Sequence, residues 1–476
     1  MLRPLEFLSR AQVETLHHNA LRVLAETGVR VEHEGMRGRL EALGAASDGN
    51  GNVRFAPSHV EPHLFGKIPP EPVRPHVRVF AGVYQSWYLE PATGRRVPFT
   101  EERLAGYIGL ARSLPLVSHT HLLGLPFVPP DLPADSVPLA EKLYAWKYGA
   151  APAGAVQLTS LCQPLLEMFR CHASMNGQPI EKGFCAEGFL VSPLRLARPE
   201  CEQVLFFAEH GLRMRLGHLP SQGGTAPVTF AGAITLALAE QIFLHLINRA
   251  LWPDAEFSLA STVMTMDPRT AASVYGRPEQ QRINAAFADL GRFYGCPCGG
   301  QTGLSDAKAP SFEAGAQKAI GALLTALTVG AGTVEAGLLA TDEICSPVQM
   351  VLDHDLAGAL TSLLREPSVS DAECAVEEIA GVGCGGNFLA SELTAARCRE
   401  EFFFPRTWSS QSSATWERTG SKLDIDLARE YVAQFNETYA PTSAISAEEE
   451  RELQRIIRTA ATGGSSVIQS PALSPQ

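Results

Sequence analysis

The strongest constraint on this chain is a rhythm. From about residue 101, helix-patterned segments alternate with short apolar runs that stop at Gly, Pro or polar residues. The strand-like runs are 117–123, 153–159, 183–191, 213–219, 256–264, 296–303, 332–339 and 379–388. Between them lie helical patterns such as 229–250, 279–294, 312–329 and 356–364. Eight strands alternating with helices over roughly 300 residues is the count and length of an α/β chain closed into a (β/α)8 barrel. A doubly wound open sheet satisfies the same alternation and stays open as an alternative. No repeat at a period of 20–50 residues competes with either reading.

The flanks follow a different pattern. Ser9 and Gln12 stand at capping-box spacing, and Val13, Leu16, Ala20, Val23 and Leu24 recur on one helical face. A short strand at 29–32 and a helix at 34–43 follow, then Pro/Gly-rich chain with β-like runs at 52–55, 77–83 and 87–90. A turn at Ala92-Thr93-Gly94 predicts a hairpin. Residues 1–100 therefore read as an N-terminal α+β cap, 101–410 as the catalytic barrel, and 411–476 as a helical extension. The Ser/Pro-rich end of that extension, 463–476, is expected to be disordered.

Composition narrows the function. With 39 Lys and Arg against 51 Asp and Glu, the formal charge is −12, and no long basic run provides a nucleic-acid footprint. The first nine residues lack the apolar core of a signal peptide. The greasiest stretches, 230–247 and 319–334, are broken by polar residues or short, which argues against a membrane span. Ten scattered Cys read as reduced thiols in a cytoplasm. Cys296-Pro297-Cys298 has no partners at metal-ligand spacing, so no metal site is expected.

The chain carries 41 Gly and 33 Pro, a surplus whose most telling addresses are three loops at predicted strand ends. In 217–229 a Gly-rich turn leads into a helix N-terminus, which could offer Gly223, Gly224 and Thr225 amides to an anion or serve only as a capped turn. In 299–310, Asp306 and Lys308 stand two apart and could face the mouth together. In 381–388, three glycines spell a dinucleotide fingerprint, but no βαβ context surrounds them, so a nicotinamide site is rejected and Asn387 is retained as a hydrogen-bonding group. His119, His121, Glu187, His218, Glu335 and the Asp342-Glu343 pair also fall near strand ends. The aromatic cluster Tyr84, Trp87 and Tyr88 suits either a cation–π cage or packing of the cap.

These stretches carry a resemblance. Residues 223–233, 303–308, 314–318, 336–339, 351–353 and 191–195 are similar, in matching order, to the trimethylamine methyltransferase family. So are the opening helix through Val31 and the segments 385–389 and 400–405. The family comprises corrinoid-dependent barrel enzymes, with non-pyrrolysine members that act on glycine betaine and related quaternary amines. Trimethylamine-specific members carry pyrrolysine near the segment matching 339–342. This chain has Ala340, Thr341 and Asp342 there, which places it with the non-pyrrolysine branch.

The resemblance implies transfer of a methyl group from a quaternary or methylated amine to Co(I) of a corrinoid on a separate protein, with no cofactor held by this chain. It implies Trp87, Tyr88, Glu187 and Asp342 around the ammonium. Lys308, His218 and the Gly223-Gly224-Thr225 amides would meet a substrate carboxylate, with Asp306 orienting Lys308 and Asn387 lining the pocket. A lysine-dependent lyase or aldolase using Lys308, and a non-catalytic betaine-binding paralogue, are the competing readings. Monomer and homo-oligomer are both compatible with the sequence.

Overall fold

The computed structural model describes residues 4–66, 74–130, 132 and 134–462; the tail expected to be disordered, 463–476, lies outside them. Eight strand–helix units follow one another. The strands are β1 (His76–Val83), β2 (Val117–Leu122), β3 (Ala151–Pro152), β4 (Glu187–Leu190), β5 (Arg215–His218), β6 (Leu259–Ser261), β7 (Cys298–Gly300) and β8 (Ala331–Glu335). Each is followed by a long helix: α1 (Glu101–Ser113), α2 (Val137–Tyr148), α3 (Cys162–Met175), α4 (Arg198–Glu209), α5 (Phe230–Leu251), α6 (Pro278–Tyr294), α7 (Phe312–Val329) and α8 (Pro347–Leu364).

The pairings among these strands are all parallel. β8, β1, β2 and β3 form one sheet in that order, β4 pairs with β5, and β6 pairs with β7. A bridge from Ala155 to Glu187 connects the end of β3 to β4, and the loop after β5 pairs with the loop after β6 through Ser221 and Met264. Thr302 Oγ1 donates to the Thr333 carbonyl, carrying β7 onto β8. The last strand thus lies beside the first.

Two sequence expectations shift. The first strand of this series is His76–Val83, which the sequence reading assigned to the cap; its pairing with β2 and β8 places it in the same sheet as the units after residue 101. The run at 379–388, expected as the eighth strand, is instead a helix (Val376–Val382) that stops at Gly383. The first run is a strand, as its pattern predicts, and only the sheet it joins differs; the second is a short apolar run, whose period alone does not separate a buried strand from a helical segment.

The N-terminal helix Arg10–Arg22 carries the expected capping box between Ser9 and Gln12. Its apolar face (Val13, Leu16, Ala20, Leu21) joins one buried cluster with α5 and α6. Val29–Val31 pairs in parallel with Arg195–Leu196, so the opening segment is tied to the loop after β4. Helix α5 is long and apolar enough to cross a membrane, but most of it is buried within the protein, as expected of a core helix.

Candidate functional site

Alternation along β1 and β8 sorts side chains between two faces. Val79, Ala81, Val83, Leu122 and Val334 pack into the cluster formed with α1, α7 and α8. Phe80, Gly82 and Glu335 therefore face the other way, away from the helices. A register irregularity between Val79 and Phe80 brings both His119 and His121 of β2 to that face. Ring centroids lie 5.5 Å apart for Phe80 and His119, and 5.5 Å for His119 and His121. Gly82 is required there, because a Cβ would overlap the His121 ring at Nε2.

His121 Nε2 and Glu335 Oε2 approach to 3.8 Å, beyond hydrogen-bond length. Both atoms are buried, and neither has a hydrogen-bond partner among the described residues. Burial pushes the Glu335 carboxyl up to about 7, with Lys318 opposing the shift. Burial and the neighbouring His119 push the His121 imidazole down to about 4. The two are not an ion pair at neutral pH. They are a poorly solvated acid on the verge of ionising, next to a neutral ring.

Beside them stand two tyrosines and a second acid. Burial raises the Tyr84 phenol well above its ordinary range, reinforced by the charges of Glu335 and Asp342 and by Tyr275. Burial raises Tyr275 as well, with Asp342 and Asp306 adding to it. Asp342 is itself raised by burial and by Glu343. Tyr84 feels Glu335, Asp342 and Tyr275, and Tyr275 feels Asp342, so these side chains gather around Tyr84 where the chain leaves β1 and β8.

The supports of this cluster are specific. Asp306 accepts from the Tyr275 amide at 2.7 Å and the Gly276 amide at 3.1 Å, which fixes the segment carrying Tyr275. Gln317 Oε1 accepts from Ser305 Oγ and from the Asp306 amide, both at 2.8 Å. The Asp342 loop hangs on the same segment, with Ala340 N donating to the Ala307 carbonyl and Thr341 N to the Ser305 carbonyl, each at 2.8 Å. These bonds hold Ala340 and Thr341 at φ 53° and 74°, a left-handed region costly for residues with a Cβ. Behind Glu335, Lys318 Nζ bonds the Glu335 carbonyl at 2.7 Å and Asp353 Oδ2 at 2.6 Å. Asp353 also accepts from the Gly337 amide and from Gln349.

Of the residues expected from the sequence, Asp342 and Asp306 belong to this cluster, Asp306 through its backbone contacts. Lys308 does not: it is exposed, and its Nζ folds back onto the Asp306 carbonyl at 2.6 Å, so the Asp306 carboxylate holds Tyr275 and Gly276 rather than the lysine. His218 points toward α5 and is buried against Glu240 at 2.7 Å, because Gly217 and not His218 takes the strand face opposite the helices. The Gly223 and Gly224 amides are spent inside their own turn on Ala226 and Ser221, and Thr225 Oγ1 accepts from the Ser221 amide. Glu187 opens β4 and pairs with Arg215 at 3.2 Å.

Trp87 is half exposed, with Arg96 stacked over it at 5.4 Å, and borders a cavity of about 400 Å³ with Gln85, Phe127 and Gln157. Tyr88 alternates to the opposite side and packs edge-on against Phe99 at 5.3 Å. Asn387 is exposed and accepts from the Leu389 amide within its own turn. Tyr275 had no signal in the sequence, since it stands outside every Gly-rich loop. Tyr84, His121 and Glu335 were visible only as polar or aromatic residues near strand ends.

The trimethylamine methyltransferase (MTTB) family model matches residues 1–464. The trimethylamine methyltransferase MttB of Methanosarcina barkeri is 31% identical over 270 residues, 56% of this chain and 53% of that protein. This chain therefore spans about half the length of the curated MttB relatives it first matches. The glycine betaine methyltransferase of Desulfitobacterium hafniense is 24% identical over 457 residues, 90% of this chain and 93% of that protein. The crystal structure of the M. barkeri monomethylamine methyltransferase MtmB aligns with a TM-score of 0.44 at 12% identity, covering 89% of this chain and 92% of that one. The match of the family model over nearly the whole chain is decisive: the chain belongs to the trimethylamine methyltransferase family.

Proposed function

We propose that the eight βα units close into a (β/α)8 barrel, and that the chain moves a methyl group from a quaternary, betaine-like or otherwise methylated ammonium to a corrinoid carried by a separate protein. The observation that carries this reading is the cluster of Tyr84, Tyr275, Glu335 and Asp342 at the carboxyl ends of the strands, where barrels place their chemistry. Two aromatic rings and two partly desolvated carboxyls suit a cation of low hydration. Cation–π contacts contribute about 0.5–2 kcal/mol each in such a setting.

The partner's corrinoid supplies the low-valent cobalt nucleophile that accepts the methyl group. This chain binds, orients and dries. A quaternary nitrogen already carries its positive charge, so the C–N electron pair returns to nitrogen and the tertiary amine departs without a proton. No general acid is needed. The neutral His121 and the protonated tyrosines fit that requirement. Glu335 loses its proton as the cation arrives, because a positive charge nearby lowers a carboxyl pKa. Alignment of one N-methyl with the open face is then the main catalytic contribution.

Exposed apolar residues in the loops after the strands support a protein partner at that face. Val128, Leu158 and Val228 lie in the loops after β2, β3 and β5, Trp87 opens a short strand after β1, and Phe312 opens α7 after β7. Such a ring is suited to docking rather than to solvent. A cytoplasmic setting fits the ten free thiols.

The test uses purified full-length chain, a reduced corrinoid protein and a panel of glycine betaine, carnitine, proline betaine and trimethylamine. Methylation of the corrinoid by a quaternary member is expected, and its loss in a Tyr84→Leu, Asp342→Asn double variant should accompany loss of ligand binding. Binding of a betaine without transfer would favour the non-catalytic paralogue. Failure of the whole panel in both binding and transfer would sink the reading.

A further inference from the structure

The groups that the sequence offered to the far end of a substrate are all engaged elsewhere. Lys308 bonds its own segment, His218 faces Glu240, and the Gly223 and Gly224 amides close their own turn. Tyr84, Tyr275, Glu335 and Asp342 account for an ammonium and leave the rest of such a ligand without partners.

Beside and below these four, the inward faces of the strands are short of side chains. Gly82 of β1, Gly154 after β3, Gly217 of β5 and Gly299 of β7 all lie there. A Cβ on the first would meet the His121 ring, on the second Glu187 Cβ, on the third the Phe189 ring, and on Gly299 nothing within 4 Å. Phe189 is 38% exposed although it lies inside β4, and Ala260 of β6 is exposed as well. Barrel interiors are ordinarily filled by layers of bulky side chains. Here space stays open under the mouth.

Two polar side chains line it. β6 and β7 pair in parallel, Ala260 with Gly299 and Ser261 with Gly300. Ser261 and Gly300 face α6, because a Cβ on Gly300 would meet Asn284 Oδ1 at 3.4 Å and Ser261 Cβ at 3.5 Å. Alternation then turns the next residues, Thr262 and Gln301, inward side by side. The backbone at Gln301 is fixed: its amide donates to the Ser261 carbonyl at 3.3 Å, and its carbonyl accepts from Asn284 Nδ2 at 2.9 Å. On the other side, the Glu335 amide donates to the Gly303 carbonyl at 3.2 Å, which ties β7 to β8. Gln301 therefore stands one strand from Glu335 and Thr262 two, about 5 and about 10 Å across the sheet.

Thr262 Oγ1 and Gln301 Oε1 are buried with no hydrogen-bond partner among the described residues, like Glu335 Oε2 further along the wall. Buried hydroxyls and carboxamides ordinarily find partners. Three unpaired groups on consecutive strands around an open space point to a polar group seated among them. A hydroxyl and a carboxamide carry no charge, and each can both donate and accept. They suit oxygen atoms and offer little to a cation.

We propose that Thr262 and Gln301 select the substrate by its arm: the oxygen-bearing end of a quaternary ammonium, a carboxylate or a hydroxyl, points down the barrel and bonds the Thr262 hydroxyl and the Gln301 carboxamide. The proposal rests on the ammonium reading of the residues around Tyr84. With the arm anchored below and the nitrogen held above it, an N-methyl is left facing the strand carboxyl ends, where the acceptor arrives.

Calorimetry on the full-length chain tests this with glycine betaine, which has a carboxylate arm, choline, which has a hydroxyl arm, and tetramethylammonium, which has neither. The wild type should bind at least one armed ligand about tenfold or more tightly than tetramethylammonium. The Thr262→Val, Gln301→Met double variant keeps the shape of both side chains and should lower that preference at least about tenfold, whereas Thr262→Ser, which keeps the hydroxyl, should hold it within about twofold. The armed ligand that loses more in the double variant names the arm. A wild type that binds tetramethylammonium as tightly as both armed ligands would overturn the proposal. So would a double variant that keeps the preference, the result expected if only water sits between the two side chains. Either outcome leaves the ammonium reading standing. Failure of all three ligands to bind removes that reading, and this proposal with it.

Discussion

Lys318 Nζ lies 2.6 Å from Asp353 Oδ2, with both side chains shut away from solvent, and the same ammonium holds the Glu335 carbonyl at 2.7 Å. One buried ion pair therefore fixes the end of β8, where Glu335 enters the cluster with Tyr84 and Asp342. Burial pushes the Asp353 carboxyl up, while Lys318, the Gly337 amide and Gln349 pull it back. The pair works because all of its members are present.

Removing one partner should be far worse than removing both. Lys318→Met leaves an uncompensated buried acid and is expected to cost about 3–5 kcal/mol. The Lys318→Met, Asp353→Leu double variant should recover much of that loss, as read by urea unfolding. It should still bind quaternary ammonium weakly, because nothing then holds the Glu335 carbonyl. Equal destabilisation by single and double variants would show that the pair is not coupled.

Glu335 should give the protein a pH signature. Its carboxyl is raised to about 7 in the folded chain from an ordinary value near 4.5, so the folded state prefers the protonated form. The stability it contributes is full below about pH 4.5 and is lost as pH rises through about 7, up to about 3 kcal/mol in all. Glu335→Gln should remove this segment of the stability–pH curve. Binding of tetramethylammonium runs the other way. It should tighten as pH rises toward about 7, by up to about tenfold per unit, with proton release detectable by calorimetry in two buffers. In Glu335→Gln both the pH dependence and the proton release should disappear.

Gly82 is the packing test of the same site. Gly82→Ala places a methyl group against His121 Nε2, forcing the imidazole toward the space beside Glu335. Overpacking of this kind costs about 1–3 kcal/mol. The expected result is a larger loss of ammonium affinity than of stability. His121→Ala in the Gly82→Ala background should restore stability, which a thermal melt would read directly.

Lys308 separates the methyl-transfer reading from a lysine-dependent lyase. It is exposed and bonded to its own segment's carbonyl, outside the cluster. Lys308→Gln should leave ammonium binding and methyl transfer within about twofold, an effect under about 0.5 kcal/mol, as expected of a surface substitution. Borohydride with carbonyl compounds should label no lysine at this position, and a trapped adduct on Lys308 by mass spectrometry would reverse that conclusion.

Much of the fold was legible because periodicity is local. Helices at 230–251, 278–294 and 312–329 and the capping box at Ser9 stand where their patterns predict. Two runs differ: 76–83 is a strand as its pattern predicts but takes its sheet from what lies beside it, and 379–388 is a short apolar run whose type depends on what lies beside it. For the first, that is a pair of neighbouring strands more than 30 and 240 residues away in sequence. For the second, no strand among the described residues pairs with it.

The site divides along the same line. Sequence by itself determined which residue types the family motifs carry, including Asp306, Lys318 and Asp353, that Asp342 stands where the chain departs from them, and the acidic balance that suits a cationic ligand. Tertiary structure decided which of them meet. Whether a side chain enters the cluster depends on strand alternation, so Glu335 faces it, while His218 turns toward α5. It also depends on how a loop spends its amides, which is why Gly223 and Gly224 have none to offer a ligand. The elevated pKa of Glu335 has no counterpart in the sequence at all, because a carboxyl departs from its solution behaviour only when folding removes its water.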